Sequence, residues 1–206
     1  MFVAATGNEA TISIEDVRLF QASIEPLAKA GKLGAILAQF PPSFRNNRNN
    51  VQILKAVIHH FNWCRLAVEL RHSSWSNDTG TIDLLRNNNT TWVQIDEPQF
   101  PSSIARELPL TGDIAYFRYH GRNVETWWNG NNETRYKYLY SDQEIAALSQ
   151  TVRKANQQVR RVFAFFNNHW KAYAPRNAVD MINSLGLPMV ELPAFGTGRL
   201  FDDGIR

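Results

Sequence analysis

The sequence contains one cysteine, Cys64, among its 206 residues. A single cysteine excludes an intramolecular disulfide and a zinc site built from cysteines, and such cysteine usage is typical of a reducing compartment. The first ten residues do not combine a basic stretch with a long apolar one, and the sequence has no apolar run of roughly 18 residues. We therefore expect a cytoplasmic protein with no signal peptide and no transmembrane helix.

The sequence also lacks the glycine-rich motifs that bind nucleotide phosphates, since neither Gly-x-Gly-x-x-Gly nor a P-loop pattern occurs in it. Its net charge of +3 comes from 22 basic and 19 acidic residues, and the basic residues are scattered along the chain. Domains that bind nucleic acid usually concentrate basic residues on one face. A nucleic-acid partner is therefore not favoured, and it is kept as an alternative.

Five short runs of apolar, branched and aromatic residues have the length and composition of β-strands. Helical patterns lie around and between them. Two of these begin with the spacing of a capping box, at Ser13 with Asp16 and at Ser141 with Glu144. The predicted strands are 34–40, 64–70, 90–96, 113–119 and 161–167, and the other predicted helices are 51–61, 79–86 and 176–185.

The alternation of strands and helices predicts a single α/β domain over residues 1–206, with a parallel sheet wrapped by helices. The first four predicted strands start 30, 26 and 23 residues apart, which suits strand–helix–strand units. A closed barrel and an open doubly wound sheet both have this pattern. The absence of a nucleotide-binding motif weakens the open sheet.

Every predicted strand ends in polar residues. Because the carboxyl ends of parallel strands share one rim, we expect these side chains to converge there. Side chains alternate along a strand, so Glu69 shares a face with Arg71, and Arg118 shares a face with His120. The candidates at or just after the strand ends are Gln39, Glu69, Arg71, His72, Trp75, Asp96, Arg118, His120, Asn167 and Asn168.

Carboxylates and imidazoles at such a rim are suited to general acid–base catalysis or to holding a hard divalent metal ion. Arginines are suited to binding a phosphate or carboxylate group of a ligand. An equal alternative to these functional roles is that Glu69 and Arg71 form an ion pair that only stabilises the fold. Near the start of the last predicted helix, Asn177 is a candidate cap and Arg176 a candidate anion-binding residue.

The segment 121–140 is a long connection after the fourth predicted strand, and it is rich in aromatic residues such as Trp127 and Trp128. Long connections in compact domains are often lids or binding loops. The alternative is a packed loop that simply covers the rim. The sequence favours neither interpretation.

Several of these segments resemble one known family, domain-of-unknown-function family 72, also called the YecE-like family. The resemblance is carried, in order, by residues 33–44, 67–75, 118–123, 135–140, 166–170 and 174–178. It implies a β/α barrel of the triosephosphate-isomerase (TIM) type, and it implies no reaction because the activity of the family is not established. The motif positions that it marks here are Gln39, Glu69, Arg71, His72, Trp75, Asp96, Arg118, His120, Asn167, Asn168, Pro175, Arg176 and Asn177.

The chain departs from the family at its start, because family members begin with two further strand–helix units. The resemblance therefore implies an N-terminally truncated, open barrel of about five to six parallel strands, short of the roughly 250 residues of a full barrel. We expect residues 2–5 to be a remnant of the third barrel strand. We also expect the open edges to be covered by another chain, as in an oligomer, or by residues 189–206.

The preferred functional hypothesis is an enzyme, a hydrolase or lyase, that acts on a phosphorylated or otherwise anionic small molecule. Its catalytic candidates are Glu69, Asp96, His120 and His72, used in acid–base chemistry or with a divalent metal. One alternative is a non-catalytic nucleotide-binding or nucleic-acid-binding protein, and another is an inactive truncated relative. The ligand-binding candidates are Gln39, Arg71, Trp75, Arg118, Asn167, Asn168, Arg176 and Asn177.

Overall fold

The computed structural model describes residues 3–6 and 9–189 and shows an α/β architecture. The strands are β1 (Val3–Thr6), β2 (Glu9–Ile12), β3 (Ile36–Gln39), β4 (Leu66–Glu69), β5 (Thr91–Trp92), β6 (Gln94–Asp96), β7 (Ile114–Tyr119) and β8 (Arg161–Phe166). The helices are α1 (Ile14–Lys29), α2 (Arg48–Phe61), α3 (Ser73–Ser76), α4 (Thr79–Asn87), α5 (Asn132–Arg135), α6 (Asp142–Asn156) and α7 (Tyr173–Leu185), with a 3₁₀ turn at Trp170–Ala172. No helix in this part of the chain is long and apolar enough to cross a membrane.

Two three-stranded parallel sheets form the centre of the molecule, in the orders β3-β4-β5 and β6-β7-β8. Only Val93 separates β5 from β6, and its N–H donates to the carbonyl of Val68 at 2.9 Å, so the two sheets are continuous through one strand. The predicted α/β fold with parallel strands is confirmed. Within the described residues β3 pairs only with β4 and β8 only with β7, so the sheet does not close into a barrel.

The helix starts follow the capping chemistry of the sequence. The Ser13 hydroxyl accepts from the Asp16 N–H at 3.3 Å, and Asp78 caps α4. The predicted capping box of α6 is present, since Glu144 Oε2 accepts from the Ser141 N–H at 2.9 Å. Helix α7 begins one turn earlier than predicted, at Tyr173, because Pro175 fits the first turn of a helix.

The connection between β6 and β7, residues 97–113, contains no helix, and the sequence shows no helical pattern there although the strand spacing leaves room for one. The prediction that residues 2–5 are a strand of the barrel was wrong. Strand β1 pairs antiparallel with β2 in a hairpin, rather than being a parallel strand beside β3. Only two residues separate β1 from β2, which is enough for a hairpin but far too short for a parallel crossover. Residue 2 of the proposed strand lies outside the described residues. So do residues 190–206 of the segment proposed to cover the open edges of the sheet.

Two apolar cores pack the helices against the sheet. One packs β3, β4 and the β5–β6 strand against α2 and α4 and includes Leu54, Val68 and Trp92. The other packs the outer face of β7 against α6 and α7, with Phe117 and Ile145 among its members. Because these cores fix the strands in register, the carboxyl ends of β4, β6 and β7 are held on one rim.

Candidate functional site

A group of charged side chains lies at this rim, on the inner face of the sheet. It is fixed in place by strand register, since β4 and β7 each place alternate residues on that face. We call it the buried charged cluster, and its members are Glu69, Arg71, Glu97, Arg118 and His120.

Glu69 is the centre of the cluster and has no exposed surface. Its Oε1 accepts from Arg71, with Nε at 2.7 Å and Nη2 at 2.6 Å. Its Oε2 accepts from Nη1 of Arg118. Burial alone would raise the pKa of Glu69, but the contact with His120 and the charges of the two arginines outweigh it and lower the pKa to about 2. Glu69 is therefore a permanent carboxylate at neutral pH.

Arg118 joins the ends of four strands. Besides Glu69, its Nη1 donates to Oε1 of Gln39 at 2.7 Å, and its Nε donates to Oδ1 of Asn167 at 3.1 Å. Gln39 ends β3 and Asn167 follows β8, so one guanidinium contacts side chains from both edges of the sheet. The structure thus brings these four predicted residues together.

His120 follows β7 and is buried, with its Nε2 3.0 Å from Nη2 of Arg71. A guanidinium only donates hydrogen bonds, so Nε2 must accept, and the proton of the neutral ring sits on Nδ1. That Nδ1–H has no hydrogen-bond partner in the described part of the chain. Burial lowers the pKa of His120 to about 4, because the charges of Arg71 and Arg118 add to it and the contact with Glu69 opposes it only in part. His120 is therefore neutral at pH 7, with an unused donor.

Glu97 is a member of the cluster that sequence reasoning missed. It is buried, and its Oε2 lies 3.7 Å from Nη1 of Arg71 and has no hydrogen-bond partner among the described residues. Burial raises the pKa of Glu97 to about 7, supported by the charges of Glu69 and Asp96 and opposed by Arg71. The alternation of side chains along 95, 96 and 97 puts Glu97 and Asp96 on opposite faces, but it does not say which face is the inner one.

Asp96 lies on the opposite, outer face of β6, away from the buried charged cluster. Its two oxygens accept from Arg122, Nε at 2.8 Å and Nη2 at 2.7 Å, and Oδ1 also accepts from the Tyr140 hydroxyl at 2.9 Å. Nη1 of Arg122 also donates to Oε1 of Glu144, on α6, at 2.8 Å. The structure therefore places this predicted catalytic carboxylate in a network that ties the sheet to α6.

Two further candidates hold the chain after β4. Nδ1 of His72 accepts from the N–H of Ser74 at 3.1 Å and so caps α3, and burial together with Arg45 lowers its pKa. Trp75 is buried, donates its indole N–H to the carbonyl of Phe44 at 2.7 Å, and stacks on the Phe44 ring. The ring of Trp75 has no exposed face to offer a ligand.

The remaining candidates lie around the 121–140 loop. Asn168 Nδ2 donates to Oδ1 of Asn177 and to the carbonyl of Tyr138, both at 2.8 Å, and Oδ1 of Asn177 also accepts from the Tyr140 N–H at 3.1 Å. These two amides therefore fasten the end of the loop. Arg176 is exposed in the first turn of α7 and contacts none of the cluster.

The 121–140 loop covers the cluster with aromatic rings. The Tyr136 ring lies 6.0 Å from that of His120 and 5.1 Å from that of His169, and the buried Trp127 meets Tyr136 edge-on at 5.9 Å. Tyr136 thus packs against the ring of His120, a member of the cluster. The arrangement is compatible with a lid and with a packed cover.

The described residues contain no group of three or more His, Cys, Asp or Glu side chains arranged to hold a metal ion. The reason within the cluster is plain, because arginine donors occupy both oxygens of Glu69 and one nitrogen of His120. The divalent metal that the sequence suggested has no ligand set in this part of the molecule.

Comparison with known proteins gives one consistent result. The family described as "Protein of unknown function DUF72" matches residues 4–196. The UPF0759 protein YunF of Bacillus subtilis (strain 168) is 30% identical in an alignment over 178 residues that covers 82% of this chain and 63% of YunF.

Solved structures agree. A DUF72 family protein from Thermotoga maritima MSB8 is 40% identical, with a TM-score of 0.79, over 84% of this chain and 65% of that protein. A DUF72 family protein from Enterococcus faecalis V583 is 33% identical, with a TM-score of 0.79, over 86% of this chain and 68% of that one. The chain thus spans about two thirds of the length of these relatives.

Proposed function

The chain belongs to the DUF72 family, and from this premise we propose that it is a partial β/α barrel of the TIM type whose buried charged cluster binds a small anionic molecule and catalyses acid–base chemistry on it. The observation that carries the proposal is that the unused polar atoms of the cluster are donors. They are the Nδ1–H of His120 and, below its pKa of about 7, the protonated carboxyl of Glu97.

The charge balance of the cluster favours an anion. Arg71 and Arg118 carry two positive charges, Glu69 carries one negative charge, and His120 is neutral. With Glu97 protonated, the cluster therefore has an excess of one positive charge in a site shielded from water. A phosphate or carboxylate oxygen satisfies both this charge and the unused donors.

The two glutamates suit different chemical roles. Glu97 has a pKa of about 7, which is the range in which a general acid or base works best at neutral pH. Glu69 stays ionised and holds the two arginines and, through Arg71, the ring of His120 in place. We assign proton transfer to Glu97 and oxyanion binding to His120 and Arg118. This division is that of a lyase or hydrolase that uses no metal.

Ligand entry requires the 121–140 loop to move, because the unused atoms of His120 and Glu97 are buried and Tyr136 lies over His120. We therefore favour the lid interpretation of this loop. In the nucleotide-binding alternative, arginines would hold the phosphate and tryptophans would stack on the base. Trp75 and Trp127 are buried, so only the exposed Trp128 of the 121–140 loop still supports it.

The proposal is tested by thermal shift with inorganic phosphate and glycerol 3-phosphate on the whole chain. We expect stabilisation of the wild type, loss of that stabilisation in Arg118→Ala, and its retention in Arg86→Ala, which removes an exposed arginine at the end of α4. Equal stabilisation of both variants would place the anion elsewhere. No stabilisation of the wild type by either anion would support the alternative of an inactive relative.

A further inference from the structure

A second cavity lies on the other side of the sheet from the buried charged cluster. It has a volume of about 490 Å³, within the range of small-molecule sites, and lies between the outer face of β6 and β7, helix α6 and the 97–113 connection. We call it the outer cavity. Among its lining residues are Leu108, Leu110, Phe117, Tyr119, Leu148 and Lys154.

The outer cavity exists because no helix covers this face between β6 and β7. The 97–113 connection lies there instead, fastened by the Leu108 N–H, which donates to Oε1 of Gln94 at 3.2 Å. The inner wall is aromatic, since the rings of Phe117 and Tyr119 are nearly parallel, 16° apart in plane and 6.2 Å between centroids. Such a wall suits a flat apolar ligand.

Polar groups of three residues that line the cavity lack protein partners in the described part of the chain. Tyr119 lines it, and its hydroxyl is buried and has no hydrogen-bond partner within the described residues, which is rare for a tyrosine in a core. Arg106 and Lys154, both exposed, form no ion pair in the same part of the chain, and the exposed Glu107 lies beside them. Arg122, by contrast, is held by Asp96 and Glu144.

We propose that the outer cavity binds a small aromatic carboxylate that carries a further oxygen. The ring of the ligand lies against Phe117 and Leu148, its carboxylate pairs with Lys154 or Arg106, and its second oxygen accepts a hydrogen bond from Tyr119. This site uses no member of the buried charged cluster, so a negative result at either site leaves the proposal for the other unchanged.

The test is a calorimetric titration of the full chain with 4-hydroxyphenylacetate, and with 2-(4-hydroxyphenyl)ethanol as the neutral analogue that keeps the phenol oxygen. We expect Tyr119→Phe to weaken binding of the first probe about five- to tenfold, since it removes one buried hydrogen bond. Tyr116→Phe is the matched control, because the same change on the inner face of β7 leaves the cavity untouched. Leu148→Trp fills the cavity and abolishes binding.

Lys154→Gln tests the charge without touching the core, since the side chain is exposed on α6. We expect it to remove the preference of the wild type for the carboxylate over the neutral alcohol. The proposal is overturned if the wild type does not bind 4-hydroxyphenylacetate at millimolar concentration. It is also overturned if folded Tyr119→Phe and the double variant Arg106→Gln/Lys154→Gln bind it as the wild type does.

Discussion

Glu69 and Glu97 contact the same guanidinium, that of Arg71, yet their pKa values move in opposite directions, to about 2 and about 7. The difference arises from contacts rather than from burial, which raises both. Glu69 accepts hydrogen bonds from two arginines, whereas Glu97 has only a 3.7 Å approach to one. We therefore expect substitution of Glu69 and substitution of Glu97 to affect stability in different ways.

Glu69→Gln should destabilise the fold by about 3–5 kcal/mol, because it leaves the buried guanidinium of Arg118 without a counter-charge and that of Arg71 with only the 3.7 Å approach of Glu97. The measurement is urea denaturation at pH 7. Glu25→Gln is the control, since it breaks only the exposed pair with Lys29 and should cost less than about 1 kcal/mol. Similar losses in the two variants would contradict the central position of Glu69.

Ionisation of the buried Glu97 carboxyl should lower the free energy of unfolding as pH rises. Its pKa is higher in the folded chain, about 7, than its ordinary value of 4.5, so between these values the unfolded chain ionises while the folded chain keeps its proton. Unfolding is then favoured progressively from pH 4.5 to 7. Relative to Glu97→Gln, the wild type should lose about 1–3 kcal/mol between pH 4.5 and 8. A difference between the two proteins that does not change with pH would show that the carboxyl is not buried as described.

Much of the residue-level arrangement could be predicted from strand ends and alternation, as the contacts among Gln39, Glu69 and Arg118 illustrate. The sequence could not show that Glu97, rather than the predicted Asp96, joins the buried charged cluster. Adjacent residues of a strand face opposite sides, and the sequence does not fix which side is inner. The cap made by His72 and the burial of Trp75 depend on where the chain turns after β4, which no local pattern specifies.

At the scale of elements, the 121–140 loop begins at a glycine whose conformation and surroundings both exclude a side chain. Gly121 has a φ of +90°, and a β-carbon on it would lie 2.6 Å from Cβ of Tyr138. Its N–H donates to the Tyr140 hydroxyl at 2.9 Å. Gly121 thus fixes the exit of the chain from β7 and, with it, the position of Tyr136 over His120.

Gly121→Ala should therefore displace the loop and lower the free energy of unfolding by about 1–3 kcal/mol. Gly31→Ala is the matched control, because Gly31 also has a positive φ, +65°, but a β-carbon there meets nothing within 4 Å. The free energies of unfolding from denaturation curves of the two variants are compared. The loss in Gly31→Ala measures backbone strain alone, and the additional loss in Gly121→Ala measures the clash with Tyr138. Equal losses would mean that the loop tolerates the clash by shifting freely.

The elements themselves were largely predictable, since capping spacings located α1 and α6 and apolar runs located the parallel strands. Between β6 and β7 the strand spacing leaves room for a helix, but the sequence has no helical pattern there and the connection contains none. The hairpin of β1 and β2 was missed because the family resemblance suggested a strand of the barrel and outweighed the short local separation.

For the molecule as a whole, the notable feature is a parallel sheet with two edges. Within the described residues, β3 and β8 are each paired on one side only, and unpaired edges favour association with another chain. At the β8 edge the inner face is aromatic, with the ring of Phe165 stacked on that of Tyr116 and 9° from the plane of Phe163. Phe165 is 43% exposed although it points to the inner side of the sheet.

We therefore predict that the chain self-associates through the β8 edge and that Phe165→Lys shifts it toward the monomer, because a charge on an edge strand opposes pairing. Light scattering coupled to size exclusion, over a hundredfold range of concentration, measures the mass. Trp63→Lys is the control, since Trp63 is similarly exposed, at 46%, but follows α2 rather than lying in the sheet. A monomer at every concentration, or an equal effect of both lysines, would show that the β8 edge does not mediate association.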